Sequence, residues 1–195
     1  MAEKIAVGTA SSNQKEVCLT TDRTLPDEEE LADLPFFALL VLGARCARRA
    51  EPLFLEYWTD APLQHVEAVK QAIQAVEDLA ARPAAAVWND AARETSRAAG
   101  AAIAADLAEA PEPAVHAADA AAELAEAVHP ERSRIRAARA AVRAAQAAAK
   151  AIGASGAENG QRFFLALNED LNTLRVQAGF QQWTDESAVS AQILD

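Results

Sequence analysis

The sequence predicts an all-α protein, an alanine-rich bundle of about six helices with a short irregular N-terminal arm. Three observations carry this. Hydrophobic residues make up 51% of the 195-residue chain and about half of them are alanine, the best helix former. Apolar residues recur at alternating spacings of three and four, the signature of one helix face. The 7 glycines and 8 prolines are few and lie mainly between the periodic segments. Aromatic residues are only 5%, so a core built from this chain needs close helix approach rather than bulky side chains. The length suits one domain.

Residues 1–24 read as an arm, with "EVCLTTDRTL" as the one β-leaning run. The bundle is expected over 25–182 and a C-terminal strap over 183–195. A first helix spans about 26–57, with Thr24 as a cap and Pro26 plus Asp27 to Glu30 suited to a helix N-terminus. Pro35 and Pro52 should kink or divide it. A second helix opens after Asp60 as N-cap, with Pro62 in its first turn and the seam Val66, Val69, Ile73, Val76, Ala80. A third starts near Pro83 and carries Trp88, Ala92, Thr95, Ala99, Ile103 and Leu107. Pro111 and Pro113 mark the next boundary. The fourth, about 113–128, has the seam Val115, Ala118, Ala122, Ala125, and "HPER" ends it. The fifth begins at Pro130 with Ile135, Ala138, Val142, Ala145, Ala149 and Ile152; "GASGAENG" (153–160) reads as a loop. The sixth, about 161–178, carries Phe164, Leu167, Leu171, Leu174 and Ala178. After Gly179 the chain becomes an ordered strap and a loose end.

A net charge of −11 and a pI near 4.8 argue against nucleic-acid binding, which needs a basic footprint. They favour solubility and would steer a basic partner. The N-terminus lacks the apolar core of a signal peptide. The longest apolar run, 34–44, is well short of the roughly 20 residues that span a bilayer. A cytoplasmic protein with reduced thiols is the expectation, since Cys18 and Cys46 have neither metal nor disulfide-framework spacing. His65, His116 and His129 form no helical ligand pair, and no phosphate loop or nucleophile motif appears. No catalytic residue, cofactor or metal site is therefore expected, and the protein reads as a non-enzyme. Cys46, though flanked by Arg45, Arg48 and Arg49, follows an apolar run and reads as a small buried hydrophobe.

Arg132, Arg136, Arg139 and Arg143 form a stripe on the fifth helix, extended by Lys150. Asp119, Glu123 and Glu126 hold the matching flank of the fourth. The short turn between them makes the two helices antiparallel neighbours, so the stripe should pair within the fold.

The densest stretch is "ARCARRAEPLFLEYWTD", 44–60. With Phe36, Phe37 and Leu39 to Val41 before it, it holds a large share of the bulky residues and is expected to be the central helix. Arg48 and Arg49 should serve the carbonyls that Pro52 frees, or pair with Glu51 and Glu56. Cys46, Ala47, Arg49, Pro52, Leu53, Phe54, Asp60 and Pro62 resemble an all-α family of bacterial immunity proteins from polymorphic toxin systems, with its Cys-Ala-x-Arg and Pro-Leu-Phe pattern. This chain has Ala61-Pro62 where that family has Arg-Pro. The resemblance spans roughly 36–80 and implies a protein that binds and neutralises a cognate toxin. "WTD" occurs at both 58–60 and 183–185, and tryptophan is favoured in binding hot spots. The candidate partner-binding residues are thus Tyr57, Trp58, Asp60, Trp183 and Asp185, facing a protein partner such as a basic toxin domain. Two other readings are a small-ligand binder with a pocket near Tyr57, Trp58 and Trp183, and an assembly subunit that forms a homodimer through an exposed alanine seam.

Overall fold

The computed structural model describes residues 24–129, 131 and 133–189. Most of the expected arm (residues 1–23, with Cys18), Pro130 and Arg132 at the expected start of the fifth helix, and residues 190–195 lie outside the described residues. All regular structure among the described residues is helical: α1 (Glu28–Leu31), α2 (Phe36–Tyr57), α3 (Leu63–Ala81), α4 (Ala85–Leu107), α5 (Glu112–Ala122), α6 (Leu124–Ala127), α7 (Arg134–Ser155) and α8 (Ala157–Gln181).

The first expected helix is two. Pro35 stands at the N-cap of α2, and a turn separates it from α1. Asp27, not Thr24, caps α1: Glu30 N–H donates to Asp27 at 2.8 Å and Asp27 N–H donates back to the Glu30 carboxylate at 3.2 Å, a reciprocal box that satisfies two end donors. Pro52 does not divide α2, which continues to Tyr57. The fourth expected helix breaks at Glu123 into α5 and α6.

The expected loop 153–160 is instead helix on both sides of one pivot. Gly156 adopts φ 150° and ψ 143°, a conformation open essentially to glycine alone, and α8 begins at the next residue. Of the three glycines in that stretch, only Gly156 carries the turn. At the other end of α8, Gln182 takes the left-handed position at φ 51°; Gly179 remains helical.

Named contacts give the helices their directions. Phe36 stacks on Trp88 with ring centroids 5.8 Å apart, so α2 and α4 start at the same end. Arg134 and Phe36 share Asp185, which brings the start of α7 there too. Val189 N–H donates to Ala80 C=O at 2.9 Å, and Arg175 pairs with Asp33 at 3.2 Å, so α3 and α8 finish there. α2, α4 and α7 run one way; α3, α5 and α8 run back.

α2 packs against α3, α5, α7 and α8 and holds Phe36 to Ala44, Cys46, Ala47, Ala50 and Phe54 in the core. It shares the centre with the parallel helix α7, whose buried residues are nearly all alanine. A Cβ on Gly43 would stand 2.9 Å from Leu124 Cδ2 and 3.4 Å from Ala141 Cα, so the missing side chain is what lets these backbones approach. All of the α3 seam is buried. On α4 the buried face is Ala91, Thr95, Ala98, Ala102 and Ala105, while Ile103 and Leu107 point outward, 61% and 79% exposed. Ile135 of α7 is likewise 68% exposed. In an alanine core the closest-packed face is the small one, which a search for bulky periodicity misplaces by about one residue per turn.

Candidate functional site: the acidic end of the bundle

The five residues singled out from the sequence do not converge. Tyr57, Trp58 and Asp60 close the C-terminal end of α2. Asp185 lies at its N-terminal end, where it accepts the Phe36 N–H at 3.0 Å and the Arg134 guanidinium at 2.8 Å. The 22 residues of α2 separate the two groups by roughly 30 Å at 1.5 Å per residue. A single pocket shared by Tyr57, Trp58 and Trp183 is therefore not formed.

Each copy of the repeated tripeptide has its own local task. Trp58 is buried, edge-on to Phe54 at 5.5 Å and stacked on His65 at 6.2 Å. Asp60 is exposed in the turn and does not cap α3, whose N-cap is Pro62. Trp183 donates its indole N–H to Gln181 Oε1 at 2.7 Å. Asp185, by accepting the Phe36 N–H, supplies the cap that Pro35 cannot give to α2. At the C-terminal end of α2, Asp60 is exposed, while Tyr57 is half-buried against the core.

Every arginine among the described residues is engaged in an ion pair. Arg143 meets Glu126 at 2.9 Å and Glu123 at 3.7 Å, and Arg139 meets Glu126 at 3.5 Å, as the flanks of an antiparallel pair require; Arg139 also reaches Glu28 of α1 at 3.1 Å. Arg136 turns to Glu131, and Asp119 to His116. Burial pushes the Glu123 carboxyl above its ordinary range, against the pull of Arg143. Arg48 bridges to Glu77 on α3 at 2.7 Å and to Glu51 at 3.7 Å. Arg45 and Arg49 both reach Asp170 on α8, so Arg49 does not pair with Glu51 or Glu56. The remaining arginines, at 82, 93, 97, 134, 162 and 175, have carboxylate partners as well.

The carboxylates are distributed differently. Glu56, Asp60 and Glu67 around the α2–α3 turn, and Asp106, Glu109 and Glu112 around the α4–α5 turn, are all exposed, and none has an ion-pair partner among the described residues. Both turns close the Tyr57 end. Glu29, Glu169 and Glu186 are also without such a partner but are dispersed over other parts of the surface. Apolar side chains stand among the acids: Leu63 is 70% exposed and Leu55 46%, besides Ile103 and Leu107.

Among the described residues, surface grooves include the following. One of about 280 Å³ lies between Glu28, Ala32, Arg134, Ile135 and Ala138. A polar one of about 350 Å³ holds His116, Asp119, Glu123, Arg143 and Lys150. The third, about 270 Å³, runs between α2 and α3 over Pro52, Phe54, Leu55, Val66 and Val69. None of the three is lined by Tyr57, Trp58 or Trp183. Among the described residues no group of three or more His, Cys, Asp or Glu is placed to hold a metal ion, and no helix is long and apolar enough to cross a membrane.

Comparison with protein-family models, with curated proteins and with solved structures finds no match.

Two features escaped the sequence reading. Asp170 lies three residues after Leu167 and four before Leu174, on the apolar seam of α8, and a carboxylate there calls for a buried partner; the signal was present. The exposure of Leu55 and Leu63 had no such signal, because both continue an apolar period.

Proposed function

We propose that this protein is a helical protein-binding module that recognises a basic partner through its Tyr57 end, in the manner of an immunity protein neutralising a toxin. The observation that supports the reading is the segregation of charge: among the described residues the arginines are spent on pairs within the fold, and six carboxylates without an ion-pair partner gather with exposed leucines at one end. Such a surface attracts a basic partner over distance and offers apolar area for contact once it arrives. The resemblance of residues 36–80 to immunity proteins points to the same class.

The test is capture of partners on the immobilised full chain from its native lysate, compared with a variant carrying Asp106→Lys, Glu109→Lys and Glu112→Lys. A basic protein is expected to be retained at about 0.1 M salt and released at about 1 M, where the screening length falls from about 10 Å to about 3 Å. The variant should not retain it, whereas Glu29→Lys with Glu169→Lys should. Equal retention by the triple variant, or no retained protein at all, overturns the proposal.

A further inference from the structure

Resting on that reading, we infer that the C-terminal end of α4 is the contact itself: Ile103 and Leu107 take an apolar side chain of the basic partner, and Asp106 and Glu109 take the lysine or arginine beside it. α4 packs chiefly against α3 and α5, and the outward side of its last two turns carries Ile103 and Leu107. These stand four residues apart, on one face, and are 61% and 79% exposed. Asp106 precedes Leu107 in sequence and Glu109 lies two residues after it. Both acids are exposed, and neither has an ion-pair partner among the described residues. Arg97, the nearest arginine on α4, stands roughly 15 Å back along the helix and is engaged with Glu94 at 2.8 Å.

Both carboxylates sit where α4 on its own is destabilised by them. The C-terminal end of a helix is the negative pole of its backbone dipole and favours cations, yet the last turn of α4 holds no basic residue. The helix closes with Ala110 N–H donating to Ala105 C=O and Glu109 N–H donating to Asp106 C=O, each at 3.0 Å, the pattern that puts residue 109 in the left-handed region. Its φ is 53°. Glycine is the usual occupant of that position, because a Cβ is crowded in this conformation. Glutamate there keeps a carboxylate at the negative pole at a cost in stability, the exchange expected of a residue held for binding. A guanidinium or ammonium meets the dipole, Asp106 and Glu109 with one charge, and Ile103 and Leu107 offer apolar area to its neighbour. A second copy of this chain, with net charge −11 and its described arginines already paired, is repelled by the same field.

The test is fluorescence anisotropy of the full chain with a labelled peptide of alternating leucine and lysine, at about 0.1 M salt. A second peptide carries glutamate in place of lysine. The lysine peptide is expected to bind and the glutamate peptide not. Ile103→Ser with Leu107→Ser, and separately Asp106→Asn with Glu109→Gln, should each weaken binding about tenfold. Leu165→Ser with Phe180→Ser, at exposed positions of α8, should leave it unchanged. Ile103 and Leu107 are largely solvent-exposed, so their loss does not threaten folding, and circular dichroism of each variant confirms that it is folded. Glycine separates the carboxylate from the backbone strain. Gln182 closes α8 in the same left-handed conformation, φ 51°, without a charge. Glu109→Gly and Gln182→Gly should each raise the melting temperature by about 2–4 °C, but only Glu109→Gly should weaken binding of the lysine peptide.

Equal binding of both peptides, no binding of either, or wild-type binding by the paired α4 variants overturns the inference. So does a gain in melting temperature at Glu109→Gly with binding unchanged. Sedimentation as a dimer that Ile103→Ser with Leu107→Ser dissociates would assign the face to a second copy instead. If the captured partner is lost with Asp106→Lys, Glu109→Lys and Glu112→Lys but kept by Ile103→Ser with Leu107→Ser, the binding module stands and this contact does not. If no basic protein is captured at all, the module itself falls.

Discussion

Cys46 lies fully enclosed on α2, and burial pushes its thiol up to about 12, with Arg49 opposing and Asp170 adding to the rise. The cationic neighbours that would activate an exposed cysteine are outweighed by desolvation. In the unfolded chain the thiol titrates near ~8.5. The folded state therefore retains a proton that the unfolded state has lost, and stability present below about pH 8.5 declines as pH rises toward 12. Subtracting a Cys46→Ala variant isolates this effect from other alkaline titrations. The stability difference between the two should shift against the wild type by up to about 1.4 kcal/mol per pH unit in that window, read from urea unfolding at several pH values. Two glycines show the same local logic in packing. Gly43→Val should cost roughly 2 kcal/mol or more, because its side chain meets Leu124 and the α7 backbone. Gly100→Ala, with nothing within 4 Å, should stabilise α4 by about 1 kcal/mol. Thermal melts of the pair distinguish close helix approach from mere helix propensity.

At the scale of the element, the joins carry the information. α7 and α8 are connected by a single conformational exception at Gly156 rather than by a loop, which holds the two helices in tight sequence. The start of α2 is capped from far along the chain: Asp185 satisfies the Phe36 N–H and also anchors Arg134 of α7. A strap that looks peripheral in sequence thus fixes the origins of the two central helices. Asp185→Ala should lower stability by about 1 kcal/mol and increase amide exchange in the first turn of α2, while Asp60→Ala, at the other copy of the tripeptide, should change neither. Hydrogen exchange followed by mass spectrometry resolves both segments.

Among the described residues, some carboxylates hold helices together and others stand on the surface with no ion-pair partner. Asp170 joins α8 to α2 through two arginines and is itself only 7% exposed. Asp170→Asn leaves two guanidinium groups beside the core with their shared charge gone, and roughly 3 kcal/mol of destabilisation is expected. A variant with Glu56→Gln, Glu67→Gln and Glu109→Gln removes three charges without breaking a pair and should stay within about 0.5 kcal/mol of the wild type, while losing affinity for a basic ligand. Denaturant unfolding beside the capture assay reads both effects on the same samples. An outcome in which the surface carboxylates matter for stability and Asp170 does not would contradict the division.

The helical class, the order of the long segments and the α3 seam were legible because alanine content and three-four periodicity act locally, over a few turns. The pairing of Arg139 and Arg143 with Glu126 was legible too, since a short turn forces antiparallel neighbours. What only the tertiary structure decided is which face of an alanine-rich helix goes inward and which charges find partners across the bundle. Alanine differs too little from one side of a helix to the other to specify a face, so the fit of Gly43 against Ala141 and Leu124 selects it. The same packing turned Ile103, Leu107 and Ile135 outward, sent Arg49 to Asp170 rather than Glu56, and separated the two "WTD" copies to opposite ends of α2. The acidic end arises from that long-range arrangement, because a charge is left over only after every other charge has been placed.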